Sequence, residues 1–419
     1  MLKSLQNISA KKWIIISIVN FLIVGIFGLL MRLKFLYPLP FFDQKNLMHA
    51  HSHFAFSGWV TQAIMIYMIM MVTGIKVSDA IPKKYQNILI CNFLGSIGML
   101  IAFTITGYAF LSIAFSFCIV LISYWFAVSI WKDLNSSNLY KSIIILFKAA
   151  LIYSILSSFG TYGLVYLKVT HQLDPLKQLA SVYFYLHFQY NGWFFFSCLG
   201  LANYWVFKTS GITLITERFS WSYSLTVIPA YFLSVLWWKN FPSWLYILLL
   251  VTVVLQIFLW YRFFSKLISL KRASQTLKLP DVVNLLWLCV GIAVSLKLVL
   301  QAISIIPTLS QLVYGFRPIV IAYLHLVLLV IISLFLLGYA FLSNGLGLNK
   351  MIKIGVYGLL IGILLNEFIL MIQGIGGLLR ISIHGTHETL GIAALLIVIS
   401  LCIIIWKQKS RFIQRIEHG

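Results

Sequence analysis

Nine histidines stand in a chain of 419 residues that has only nine acidic ones. They are His49, His51, His53, His171, His187, His325, His384, His387 and His418. Neutral imidazole is the common axial ligand of haem iron and also suits copper, so the first chemistry to ask of such a set is cofactor or metal binding. The alternation His49, His51, His53 sharpens the question. At 100° per residue on a helix, His49 and His53 lie within about 40° of each other, and His51 lies about 160° to 200° away. One helix then presents imidazoles to two opposite sides: an i, i+2 pair cannot chelate a single ion but can present one imidazole to each of two cofactors. His187 and His325 stand alone in apolar runs, and each is equally well read as an interhelical hydrogen-bonding residue. His384 and His387 precede the last apolar run and are equally ordinary interface residues. A further metal assembled from His49, His187 and His325 is one arrangement the chain allows.

Other polar groups accompany them. Glu367 beside Asn366, and Glu388 beside His387, are acids at comparable depth that would carry protons to a reducing centre; Glu367 is alternatively a hydrogen-bonded structural carboxyl. Arg317 and Arg380, at the ends of two apolar runs, could pair with haem propionates or simply anchor the interface. Lys148 and Lys297 fall inside apolar runs and either face an internal path or snorkel.

Apolar runs must position these groups. Hydrophobic residues make up 61% of the chain and charged ones 10%, with a mean hydropathy of +0.97. Soluble domains run near half apolar and a quarter charged, so this is a polytopic membrane protein. Spanning the hydrocarbon takes about 20 apolar residues in a helix. Twelve such helices are expected at roughly 13 to 31, 47 to 74, 87 to 107, 110 to 131, 143 to 167, 179 to 207, 222 to 238, 244 to 264, 282 to 306, 318 to 342, 352 to 378 and 389 to 406. They form one all-α membrane domain over 1–419, the longest connection being the basic stretch around Lys266 to Asp281. Of 31 Lys and Arg, 21 fall on the side of the N-terminus and 8 on the other. The positive-inside rule then places both termini in the cytoplasm of an inner membrane. Helices 2, 6, 10 and 12 run inward, and their histidines fall within about the outer 13 Å.

The net charge of +22 follows the same short loops. It therefore reads as orientation and attraction to anionic lipid, and nucleic acid is excluded as a partner. Cys91, Cys118, Cys198, Cys289 and Cys402 form no CxxC or CxxCH, so no disulfide framework, zinc ribbon or c-type haem attachment is present. Walker A and GxSxG patterns are missing, which argues against ATP-driven transport or serine hydrolysis.

The segment HAHSHFAFSGW, residues 49 to 59, resembles from His51 onward the HxHxAFxG pattern of the nitric oxide reductase branch of the haem-copper oxidase superfamily. The resemblance implies a twelve-helix catalytic subunit of three pseudo-repeated four-helix arcs. It implies one or two b-type haems, with His51 on a high-spin haem and His53 on a low-spin one, and copper or non-haem iron beside them. It also implies an electron donor, either cytochrome c or a quinol, and assembly with other respiratory subunits. Helices 2, 6 and 10, the second members of the arcs, are those that carry His49/His51/His53, His187 and His325. In that family the HxH pair lies on the tenth helix, and the seventh carries a His-His pair; here the pair lies on the second, and the seventh, SYSLTVIPAYFLSVLWW, has no histidine. The same opening also looks like that of the NnrS proteins, membrane proteins with haem and copper that are linked to nitric oxide stress. Both imply binding or reduction of nitric oxide or oxygen. The alternatives from other classes are a secondary transporter, for instance of a transition metal, and a non-catalytic subunit of a respiratory complex.

Overall fold

The computed structural model describes residues 7–172, 174–238, 241–273, 277–313, 316–381 and 383–417. His418 lies outside them. The described residues are helical, with no strand among them. We number the helices α1 (Ala10–Leu36), α2 (Gln44–Thr73), α3 (Lys83–Thr106), α4 (Phe110–Ser136), α5 (Lys141–Val169), α6 (residues 175–210), α7 (Glu217–Ala230), α8 (Ser243–Ala273), α9 (Asp281–Ile303), α10 (Arg317–Leu342), α11 (Lys350–Leu378) and α12 (Thr386–Glu417). Ten of these are long and apolar enough to cross a membrane. In lipid every backbone amide has to be paired within the segment, so apolar runs of this length have the helix as their solution.

The two outside that set are α6 and α7. α6 is long, but it carries Lys177, Gln178, His187, Gln189, Asn191 and Asn203. α7 holds Pro229, which supplies no N–H to the α ladder, one residue before its end, and passes into a 3-10 turn over Tyr231–Val235. Two expected boundaries also move. The basic stretch after Lys266 is helical as far as Ala273, and α12 continues to Glu417.

Local signals set the ends that matter for the histidines. Asp43 accepts from the Asn46 amide at 2.8 Å and starts α2 six residues before His49. Asp174 accepts from Leu176 at 2.9 Å, with Pro175 in the first turn of α6. At the other ends Gly74 and Gly211 take left-handed φ values of 68° and 72°, which a residue with a Cβ adopts only under strain.

Three helices change pitch partway. α2, α6 and α10 pass from α- to π-helix over Ala55–Thr61, Phe188–Phe194 and Leu326–Ser333, then return to α. Each π segment begins within two residues of a histidine: His53, His187 and His325.

The helices gather into two compact units, each discontinuous in sequence. Unit 1 holds residues 1–126, 281–287 and 333–419; unit 2 holds 127–280 and 288–332. Within unit 1, α11 packs on α12, α12 on α1, and α2 on α1 and α3. Gly355 and Gly362 of α11 let the two backbones approach: a Cβ there would meet Ser400 O at 3.2 Å and Ala393 O at 3.1 Å. Within unit 2, α5 packs on α6 and α7, and α7 on α8. Gly160 of α5 is pressed on the α6 backbone, where a Cβ would stand 2.5 Å from Ser181 O and 2.6 Å from Tyr185 N.

Candidate functional site

In unit 1 the three histidines of α2 divide between two sides, as the spacing predicts. His51 turns to α1. Its Nδ1 stands 3.0 Å from Val24 O, and since a carbonyl can only accept, Nδ1 carries the proton and the lone pair lies on Nε2. Gly28, one turn further along α1, leaves room for the ring; a Cβ there would lie 3.4 Å from His51 Cε1.

On the other side, His49 and His53 face α3 and the turn that follows it. Their ring centroids are 6.4 Å apart. His53 stacks on Phe103 at 4.4 Å and 6°, and its Nε2 is 3.1 Å from the Tyr108 hydroxyl. His49 meets the edge of the same Tyr108 ring at 4.5 Å. Tyr108, absent from the sequence expectations, thus joins both histidines.

The π segment below them is held by side chains of neighbouring helices. A π turn weakens the regular ladder, and its carbonyls need other donors. Asn20 of α1 donates to Gly58 O at 2.6 Å, and Asn92 of α3 donates to Ser57 O at 3.1 Å. Trp59 stacks on Phe21 at 4.8 Å and donates its indole N–H to Ser333 Oγ at 2.9 Å.

In unit 2, His187 ends a first α segment of thirteen residues, about 18 Å from its start, where eight residues were expected. It is 1% exposed, and both ring nitrogens are engaged. Nε2 donates to Val227 O of α7 at 2.9 Å, and Nδ1 accepts from Asn191 Nδ2 at 3.1 Å. Val227 lies in the SYSLTVIPAYF stretch, where the resemblance would have put a His-His pair; here that helix offers a backbone carbonyl. Tyr190 and Tyr323 share a hydroxyl hydrogen bond, tying α6 to the first segment of α10. His325, two residues after Tyr323, donates from Nδ1 to Ile321 O of its own helix at 2.9 Å, so its lone pair also lies on Nε2.

Lys297 of α9 is 8% exposed. It donates to Gln301 Oε1 at 3.1 Å and stands 5.8 Å over the Phe195 ring. Together with His187, Asn191, Tyr223 and Gln256 these residues line a cavity of about 10 Å³, room for about one water. Lys148, the other lysine inside an apolar run, reaches back to Asn135 Oδ1 at 2.6 Å.

Glu367 of α11 is half-buried, accepts from Asn366 Nδ2 at 3.1 Å, and has Arg32 of α1 as its electrostatic neighbour. Glu388 is exposed in the first turn of α12, beside His387, whose ring stacks on Phe35 at 5.0 Å. His384 is exposed just before that helix. Arg317 is exposed at the first position of α10, and Arg380 is exposed after α11 at φ 59°. His49 belongs to unit 1, His187 and His325 to unit 2. Among the described residues no group of three or more His, Cys, Asp or Glu gathers to hold a metal ion.

A signal for the unit 2 site stands in the sequence but escapes a search for ligand spacing. Residues 53–59, HFAFSGW, recur as residues 187–193, HFQYNGW, and Tyr185-Leu186-His187 recurs as Tyr323-Leu324-His325. Each copy falls where an α segment gives way to a π segment. Compared with known proteins, the chain matches no protein-family model and no curated protein.

Proposed function

We propose that this chain is a haem-binding protein of the inner membrane, with twelve spans arranged like the catalytic subunit of the haem-copper oxidases, that binds or reduces nitric oxide or oxygen. One observation carries the reading: His51 donates from Nδ1 to a backbone carbonyl, the usual anchor of a metal-ligating imidazole, and its lone pair lies on Nε2. His325 shares that state. Each of the two, taken singly, has the tautomer of an axial haem ligand that would bond through Nε2; in His187 the two nitrogens are held by Val227 O and Asn191 Nδ2.

Bound haem would supply the iron that coordinates the gas and passes it electrons from a cytochrome c or quinol partner. The chain's own residues do the rest. Val24 O fixes the tautomer and plane of His51, and Glu367, with Asn366 and Arg32 about it, holds a carboxyl where a proton could be kept. Arg317 and Arg380 are both exposed, and in this reading they pair with anionic groups, haem propionates or lipid.

One observation favours a second reading, secondary transport. The HFxxxGW repeat places the same motif in each of two compact units, as transporters with internal repeats do. Against it, α2 and α6 pass through their repeats without unwinding. A spectrum separates the two. Purified full-length protein, oxidised and dithionite-reduced, is expected to show haem bands and a shift with carbon monoxide, with pyridine haemochrome giving one or two haems per chain. His51→Ala is expected to lose the haem that His51 ligates, one per chain. Protein produced with ample haem yet carrying none would overturn the haem reading.

A further inference from the structure

The side of α2 opposite His51 presents a different donor set. His49 and His53 are one turn apart, the spacing at which a single helix face supplies two imidazoles to one ion. Tyr108 closes over both from the short turn between α3 and α4. That turn is held down at Gly107, whose φ is 61° and whose position a side chain would contest with Asn46 of α2. Phe103 supports the group from beneath, stacked on His53 and 5.0 Å from Tyr108, so the three polar rings stay together without an ion.

His53 Nε2 and the Tyr108 oxygen are 3.1 Å apart. Two ligands of one first-row ion, each bonded at about 2.0–2.1 Å, stand about this far from each other when the angle between them is a little over 90°. The hydrogen bond therefore has the bite of a chelate. Tyr108 is 51% exposed, which gives an ion a way in.

We propose that His49, His53 and Tyr108 form a site for one divalent transition-metal ion, two imidazoles and a phenolate being a donor set that suits copper(II). Binding exchanges the phenol proton for the ion: the O–H bond breaks, the metal–oxygen bond forms, and one proton is released per ion, with no change of oxidation state. The site is independent of haem on His51 and takes the place of the haem that the resemblance gives to His53.

The test uses purified full-length protein stripped with a chelator and titrated with copper(II) alone. One tightly bound copper per chain is expected, with a paramagnetic resonance spectrum of nitrogen coordination and a visible phenolate-to-copper band. Tyr108→Phe, which keeps the ring packing, is expected to remove the band; His49→Ala is expected to weaken binding at least tenfold. Failure to bind one equivalent, or binding of unchanged strength and spectrum in both variants, would overturn the proposal. Haem content is measured separately on the same samples. Haem without copper sinks only this site, and copper without haem sinks only the haem reading.

Discussion

His53-Phe54-Ala55-Phe56-Ser57-Gly58-Trp59 of unit 1 and His187-Phe188-Gln189-Tyr190-Asn191-Gly192-Trp193 of unit 2 share four identical residues and the same passage from α- to π-helix. Their imidazoles nevertheless end in different chemistry. His53 meets the hydroxyl of a half-exposed tyrosine and the ring of Phe103. His187 is sealed, one nitrogen on Val227 O and the other on Asn191. The difference lies in the variable positions and in the neighbours. Asn191 stands where unit 1 has Ser57, and its longer side chain reaches back one turn to the histidine; the Ser57 hydroxyl donates to the His53 carbonyl at 2.9 Å instead. The motif thus builds a π turn with a histidine above it, and what surrounds it decides whether that histidine serves packing or a ligand.

Truncating the two histidines breaks the comparison most directly. His187→Ala leaves a buried carbonyl and a buried amide unpartnered around a new void, and is expected to destabilise by about 3 kcal/mol. His53→Ala, which removes a partly exposed ring bonded to the hydroxyl of an exposed tyrosine, is expected to lose less than about 1 kcal/mol while abolishing any ligand held there. Unfolding in mixed detergent, followed by tryptophan fluorescence, measures both. Equal losses would mean that the two copies are doing the same structural task.

The glycines shared by the two copies come next. At Gly58 a Cβ would run into the ring edge of Phe54, whose Cε2 is 2.5 Å away and can rotate about χ2. At Gly192 it would run into the Cβ of Tyr153, an atom fixed to the α5 backbone. Gly192→Ala is therefore expected to cost about 2 kcal/mol, and Gly58→Ala about 1 kcal/mol less. The same unfolding assay reads the difference, and a reversed order would show that the Phe54 ring is the more firmly held of the two.

How much of this was legible in the sequence follows from the kind of signal each feature leaves. Apolar runs give ten helices plainly, since a continuous apolar run without strand alternation pairs its backbone in lipid as a helix. They carry α7 as a helix to 238, where the α-helix ends at Ala230 and passes into a 3-10 turn, and they place the start of α6 late, because Pro175 to Gln178 is polar enough to be taken for a loop. The split of His51 from His49 and His53 was readable because angular spacing on a helix depends on nothing outside it. What His51 bonds to was not: Val24 O is a backbone atom of another helix and leaves no trace in residue type. Tyr108 is hidden for a related reason, being one of 21 tyrosines and brought to the histidines only by the turn at Gly107. The π segments were hidden as well, although the repeated HFxxxGW marks two of them once the copies are laid side by side.

The smallest expected effect tests whether the variable positions of the repeat matter apart from Asn191. Gln189 of unit 2 stands where unit 1 has Ala55, and its Nε2 donates to Ser157 Oγ of α5 at 2.9 Å. Ser157 in turn donates to Ser154 O at 2.7 Å, so it keeps a partner if Gln189 is removed. Gln189→Ala deletes one interhelical hydrogen bond, leaves no orphan on α5, and restores the residue that unit 1 tolerates at this place. Such bonds within membranes average about 0.6 kcal/mol in double-mutant cycles, and a loss of that size is expected here. A cycle with Ser157→Ala isolates the pair. A coupling well above 1 kcal/mol would mean that Gln189 holds α6 to α5 in a way Ala55 does not hold α2, and that the two copies differ in their helix seams as well as at their histidines.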